Sequence, residues 1–436
     1  MSPALALAVL AVLAVLPYLR ALALPFISDD YLQILLGRQY GSPEGWSALA
    51  GDALYRCRAT SLILTYWTER LFGLDAFAYN VSSLVLHVVN TWLVFALGAW
   101  RLIGWRVAFV AAAFFGIYEG HQEAVIWYSA IPELLVFFFC LLTLLACLRW
   151  TARPGAGRWI VAAAAYFLAL ASKESAVGVL PLLALAAWYE GVPARRWTMA
   201  LAPLAALSAV YAALIFAARS THLHLNDGTF SLHAPVLLNW ANSYWRLFWI
   251  WGLVALALLR VSRAAAGGRA LWFGIAWAAV TLLPYSFLTY MSRVPSRHTY
   301  LASAGIAMVV AMGLLALYGR AGRGRILAVA VAAVCILHNI GYIWIRKHAQ
   351  FVERAEPTEA LLRFVAEFHG PFYVRCFPYG MNVVVTALQA TGARATLLSA
   401  REAAERGVHH SFCFDSPSLP ALANLDGSVD PKNQPN

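Results

Sequence analysis

The chain has 436 residues, 61% of them hydrophobic and only 12% charged, with a net charge of +11. Stretch after stretch is apolar around its whole circumference, which excludes a soluble globular protein and a disordered one, because such helices need lipid or other helices on every side. The positive charge is not a nucleic-acid footprint, since it partitions with the loops of a membrane protein.

The first apolar segment, residues 4–24, lacks a basic n-region and a small-residue cleavage site and is long enough to cross a bilayer, so it reads as a retained first span. Further spans are predicted at 78–100, 107–118, 133–148, 159–171, 176–189, 197–217, 240–259, 271–289, 301–318 and 326–345, about eleven in all. The third, fifth and sixth are short, which fits tilted, re-entrant or longer helices. If the chain alternates sides, one set of loops holds Arg101, Arg106, Arg149, Arg153, Arg158, Arg195, Arg196, Arg260, Arg263, Arg269, Arg320, Arg323 and Arg325 against the single anion Glu190. That is the cytoplasmic side by the positive-inside rule, and the opposite loops, nearly balanced in charge, face outward. Fusing 159–189 into one helix would split these arginines between two sides, so two passes are expected there. The run GRAGRGR at 319–325 follows no strand and lacks the spacing of a phosphate loop; it reads as a cytoplasmic turn.

Residues 1–346 therefore form a transmembrane domain with a first outer loop at 25–77. After it, 347–436 is expected to be a small extracytoplasmic α/β segment. PFYVRCF at 371–377, a helical stretch at 380–391 and ATLLSA at 395–400 are its elements, and the last 20 residues, rich in Pro, Asn and Asp, read as disordered. The six cysteines show no zinc spacing. Cys140, Cys147 and Cys335 fall inside spans as packing residues, Cys57 lies outside them, and a Cys376–Cys413 bridge is open to the tail.

Acidic residues gather at outer helix ends: Asp29 and Asp30 after the first span, Glu119 and Glu123 after the third, Glu133 at the start of the fourth, and Glu174 between the fifth and sixth. Any one of them is explained by solvation, but four loops bring carboxylates to one level. Arg56, Arg58, His121, Lys173, Arg293, Arg297 and His298 share that face. Carboxylates mixed with cations suit a phosphate-bearing lipid, where cations neutralise the phosphate and a carboxylate takes a proton or holds a metal. A transporter would place ionisable groups near the midplane, where only Arg246 and the pair His87 and Asn90 stand out, the pair reading as an interhelical bond.

At these residues the sequence resembles the GT-C superfamily of membrane glycosyltransferases, which use polyprenyl-phosphate-linked sugars. FISDDYLQIL resembles the acidic motif of their first outer loop. Later segments resemble the branch of tetratricopeptide-linked protein O-mannosyltransferases and their bacterial relatives. LYRCRATSLILTYWTERLFGLDAFAYNVSSLVLHVVNTWLV places Tyr55, Arg56, Gly73, Asn80, His87 and Asn90 on recurring positions; GHQEAVIWYSAIPELL places His121, Glu123 and Ala124; SRHTYLASAG places Arg297, Tyr300 and Gly305. SKESAVGVLPLLAL resembles a Lys-Glu motif that opens a span. Cys57, His298 and Glu133 depart from the pattern, and there are no tetratricopeptide repeats, so protein O-mannosylation is not inherited.

The resemblance implies an all-α, GT-C-like polytopic protein of the plasma membrane that performs an inverting transfer on its outer face. The sugar would pass from a polyprenyl-phosphate donor to a glycan, lipid or protein acceptor. Asp29 is the expected general base, with Asp30 its catalytic partner; Arg297, Lys173 and His121 are assigned to the donor phosphate, and Glu123, Glu119 and Arg56 to alignment of the acceptor. A divalent cation, Mg or Mn, held by Asp30 and Glu123, is a further role open to those two. The rival reading is a lipid or solute transporter, or a non-catalytic scaffold, with the same fold.

Overall fold

The computed structural model describes residues 2–262, 268–289 and 292–414. Each of the eleven predicted spans is helical. Among the described residues, eight helices are long and apolar enough to cross a membrane: Pro3–Ala23, Ala76–Ala99, Tyr128–Ala152, Ala194–Ala217, Val236–Ser262, Gly268–Phe287, Ser296–Tyr318 and Arg323–Glu367. The three short segments are the shorter apolar helices Gly104–Ile117, Ala156–Leu170 and Glu174–Tyr189. The protein is an all-α polytopic membrane protein.

Two helices form its centre, Tyr128–Ala152 and Ser296–Tyr318, whose most apolar windows are 72% and 83% buried. Small residues let the second sit there: a Cβ on Gly274 would lie 2.9 Å from the Gly305 carbonyl oxygen, and one on Gly313 would lie 2.8 Å from that of Ala255. Backbones that close gain the dense packing that replaces the hydrophobic effect inside a bilayer. Polar side chains tie the same helices together. His87 Nε2 donates to the Gly116 carbonyl at 3.1 Å, and its Nδ1 takes the Tyr300 hydroxyl at 2.7 Å. Asn90 donates to the Leu134 carbonyl at 3.0 Å, so this pair bonds between helices as the sequence suggests.

The last long helix does not break at the expected domain boundary. It passes from Arg323–Gly341 through a π-helical turn, Tyr342–Lys347, into His348–Glu367. A small α/β unit follows, with strands β1 (Pro371–Cys376), β2 (Thr396–Leu398) and β3 (Ser411–Cys413) in the order β2-β1-β3, all parallel. Helices Met381–Thr391 and Ala400–Glu405 make the crossovers. Cys376 and Cys413 are bridged across β1 and β3, their Cα atoms 4.5 Å apart. The unit leans on the loop that follows the first span, where Arg38 Nη2 donates to the Ala390 carbonyl at 2.8 Å. Arg263 and the tail expected to be disordered lie outside the described residues.

Candidate active site

The site begins at a strained turn. Ser28, buried with a φ of 37°, is a non-glycine residue in the left-handed region, and it immediately precedes the two aspartates. Such a conformation costs about 1 to 3 kcal/mol and persists only where neighbours hold it. Asp30 supplies the hold. Its Oδ2 accepts the Ile27 N–H at 2.8 Å, while Oδ1 accepts the Ser129 N–H at 2.7 Å and the Ser129 hydroxyl at 2.8 Å. One carboxylate thus closes the turn and ties the loop after the first span to the segment that precedes helix Ile131–Ala152. Burial pushes the Asp30 carboxyl up to about 7, against the pull of those hydrogen bonds.

Asp29 caps helix Asp30–Tyr40 and is used differently. It is half-buried, it makes no capping bond, and among the described residues no hydrogen-bond donor reaches its carboxylate. Burial raises its pKa above the ordinary aspartate value, while the charges of Arg297 and Arg354 oppose the rise. Asp29 is therefore a carboxylate with open lone pairs beside two guanidiniums.

Those guanidiniums are fixed by Glu123, which is 6% exposed. Arg297 Nη1 donates to Glu123 Oε1 at 2.9 Å and Arg354 Nη1 to the same oxygen at 3.4 Å. Oε2 accepts the Ser296 hydroxyl at 3.0 Å and the Arg297 N–H at 3.2 Å. Both guanidiniums lie against the Trp127 ring, 4.9 Å and 4.7 Å from its centroid, a cation–π arrangement that keeps their planes in place. Burial would raise the Glu123 carboxyl, but Arg297 and Arg354 more than offset it and hold the group at about 2. Glu123 thus gathers two guanidiniums at one place beside Asp29.

The other expected site residues are placed apart from this cluster. Lys173 is committed to Glu133, which also accepts the Tyr285 hydroxyl at 2.5 Å and a bond from His298 Nδ1 at 2.6 Å. Lys173, expected at the donor phosphate, thus stands in a buried ion-pair network. Its sequence neighbour Glu174 pairs with Arg58 at 2.7 Å. His121 is fully buried, with Nδ1 on the Ser303 hydroxyl at 2.8 Å and its ring packed against Phe115 and Tyr300. Its Nε2 is buried and, among the described residues, has no hydrogen-bond partner. Glu119 belongs to a neighbouring group; burial raises its pKa, and His338, Arg246 and Lys347 oppose that rise. Arg56 donates to the Leu214 carbonyl at 2.8 Å.

The cation site suggested for Asp30 and Glu123 does not fit. Every oxygen of both side chains already accepts hydrogen bonds, and two guanidiniums occupy the electrostatic position a metal would need. Among the described residues no group of three or more His, Cys, Asp and Glu side chains could hold a metal ion. Arg354 was not foreseen from the sequence. It sits among Glu353, Glu356 and Glu359 in a mixed-charge helix, where nothing sets it apart from a solvated surface residue.

No family model and no curated protein matches the sequence. In structure the chain is similar to the archaeal oligosaccharyltransferase AglB from Archaeoglobus fulgidus, in complex with an inhibitory peptide and a dolichol-phosphate, with a TM-score of 0.53. Identity is 12%, over 89% of this chain and 64% of that one, so the chain spans a little under two thirds of its length. The Archaeoglobus fulgidus oligosaccharyltransferase tethered to an acceptor peptide gives 0.53 as well, at 13% identity over 98% of this chain and 68% of that one. The chain has a GT-C fold. A weaker likeness, TM-score 0.47 at 15% identity over 98% and 76%, is to ArnT from Cupriavidus metallidurans bound to undecaprenyl phosphate. A GT-C fold at this identity fixes the frame of the site, and the chemistry is argued from its residues.

Proposed function

We propose that the chain is an inverting glycosyltransferase that moves a sugar from a polyprenyl-phosphate-linked donor to an acceptor at the outer face of the plasma membrane. The observation that carries this reading is the Asp29 carboxylate, open to a partner beside Arg297 and Arg354. Inversion needs in-line attack by an acceptor hydroxyl as the phosphate leaves. Asp29 takes the hydroxyl proton; the C–O bond to the phosphate breaks as the new glycosidic bond forms on the opposite face of the sugar. Arg297 and Arg354 stabilise the charge that develops on the leaving phosphate, and Glu123 with Trp127 holds them in advance of the reaction. Asp30 is a positioning residue that keeps the Ser28 turn closed. The Cys376–Cys413 bridge supports an oxidising, extracytoplasmic setting for the C-terminal unit. The dolichol-phosphate of the AglB complex supports the donor class.

The test is release of polyprenyl phosphate by the purified chain in nanodiscs, supplied with a short-chain polyprenyl-phosphate mannose and a glycan acceptor pool. Acceptor-dependent release is expected. Counterflow of the donor lipid without release would favour a transporter.

A further inference from the structure

The C-terminal α/β unit touches both halves of the site. Ala387 and Ala390 of helix Met381–Thr391 are buried in the same core as Tyr31 and Ile34 of helix Asp30–Tyr40, which Asp29 starts. At the end of the unit's helix the Ala390 carbonyl takes Arg38 Nη2, and Arg38 is held in turn by Glu69 at 2.6 Å. The other face, with Val384 and Leu388, shares a separate core with Leu361 and Val365 of helix His348–Glu367. One helix of the unit is thus packed against the helix that follows Asp29 and against the helix that carries Arg354.

Tyr379 makes the contact to Arg354 itself. It is 4% exposed, and its hydroxyl donates to the Arg354 carbonyl at 2.7 Å. The turn needs that support. Pro357 lies inside the helix, has no N–H for the Glu353 carbonyl one turn back, and crowds the turn with its ring. On a turn loosened in this way, the direction of a side chain depends on what braces the backbone from outside. Tyr379 is fixed from both sides, since Cys376 before it is bridged to Cys413 and Gly380 after it caps helix Met381–Thr391. Arg354 meets the Asp29 turn through Trp127. The ring centroid of Trp127 lies 4.7 Å from the guanidinium, and its Nε1 donates to the Ile27 carbonyl at 3.4 Å, two residues before Asp29.

We propose that the C-terminal unit is a working part of the active site, and that Tyr379 is a positioning residue that aims Arg354 at the donor phosphate. The proposal rests on the reading of Arg354 as a phosphate ligand. A hydroxyl bonded to the arginine's backbone acts through the arginine, so its removal should have no effect once the arginine is gone.

The test is a double-mutant cycle on the full chain in nanodiscs, Tyr379→Phe against Arg354→Ala. It is read by single turnover with a short-chain polyprenyl-phosphate mannose and the acceptor pool, and by undecaprenyl phosphate affinity in native mass spectrometry. Tyr379→Phe should slow the chemical step and weaken undecaprenyl phosphate binding, each about fivefold, the effect of one lost hydrogen bond. In the Arg354→Ala chain the same substitution should change neither. Incorporation of 4-aminophenylalanine at 379 keeps a donor at the same place and should restore both, which separates misplacement of the arginine from a folding defect. Wild-type values in Tyr379→Phe, an equal loss in both backgrounds, or unchanged undecaprenyl phosphate affinity in Arg354→Ala would overturn the positioning role. Coupling of the two residues in lipid affinity, in a chain that shows no turnover, would support the role and count against the glycosyl-transfer reading.

Discussion

Two carboxylates at the starts of helices, Glu133 and Asp29, stand beside cations and look interchangeable in sequence. Their environments separate them. Glu133 is 1% exposed and saturated by Lys173, His298 and the Tyr285 hydroxyl, which itself contacts the Ser175 hydroxyl at 2.7 Å. Asp29 is half-buried and has no bond from a described donor, though Arg297 and Arg354 are near enough to lower its pKa. A saturated buried carboxylate is architecture, because moving its proton or its partners would leave several groups orphaned at once. An unsaturated one held by its neighbours is free to do chemistry.

The comparison breaks most visibly at Glu133. Glu133→Ala strands Lys173 and His298 in the core, and losing one member of a buried charged network costs about 3 to 5 kcal/mol. The purified variant should show a large fall in thermal midpoint and poor recovery from the membrane; a midpoint within a degree of wild type would show that the network is not structural. At the site, Arg354→Ala and Arg297→Ala should each lower turnover by roughly two orders of magnitude, the loss of about 2 to 4 kcal/mol of transition-state stabilisation, with a smaller fall in thermal midpoint than Glu133→Ala because Glu123 keeps its other guanidinium. Full activity in Arg354→Ala would remove the last long helix from the site.

A smaller effect is expected at Asp30. Asp30→Asn replaces an acceptor by an amide donor that faces the N–H groups of Ile27 and Ser129, so the Ser28 turn loosens and turnover falls by about tenfold through misplacement of Asp29. Amide exchange at Ile27 should rise in parallel, which a purely catalytic role would not produce. The smallest effect is in pH dependence. A general base works when ionised, and burial raises the Asp29 pKa, so activity should be lost as pH falls through a value above the ordinary 3.8 of an aspartate. Arg297→Ala removes a charge that holds this pKa down and should move the acidic limb to higher pH; a limb unmoved in that variant would separate Asp29 from Arg297.

Much of the frame was legible in the sequence, since an apolar run of sufficient length dictates a span. The site was legible only in part. FISDDYLQIL placed both aspartates, but their division of labour depends on Ser129, 99 residues along the chain from Asp30. Lys173 and Glu174 are adjacent in sequence, yet each pairs with a different element, Glu133 and Arg58. Arg354 reaches Glu123 across 231 residues, from a helix whose mixed charges carry no periodic mark of burial. In the C-terminal unit, β3 is only three residues long, too short to announce itself, although the Ser399–Glu402 capping box does mark the helix before it.

The central claim, that Asp29 takes the acceptor proton, is tested most directly by single turnover of Asp29→Asn with a short-chain polyprenyl-phosphate mannose and the acceptor pool. Asparagine keeps the shape of the side chain and removes the basic oxygen. The account predicts donor binding like that of wild type and a chemical step slowed about a hundred- to ten-thousandfold, the worth of a general base. Turnover near the wild-type rate, with the variant folded and donor-bound, would contradict it.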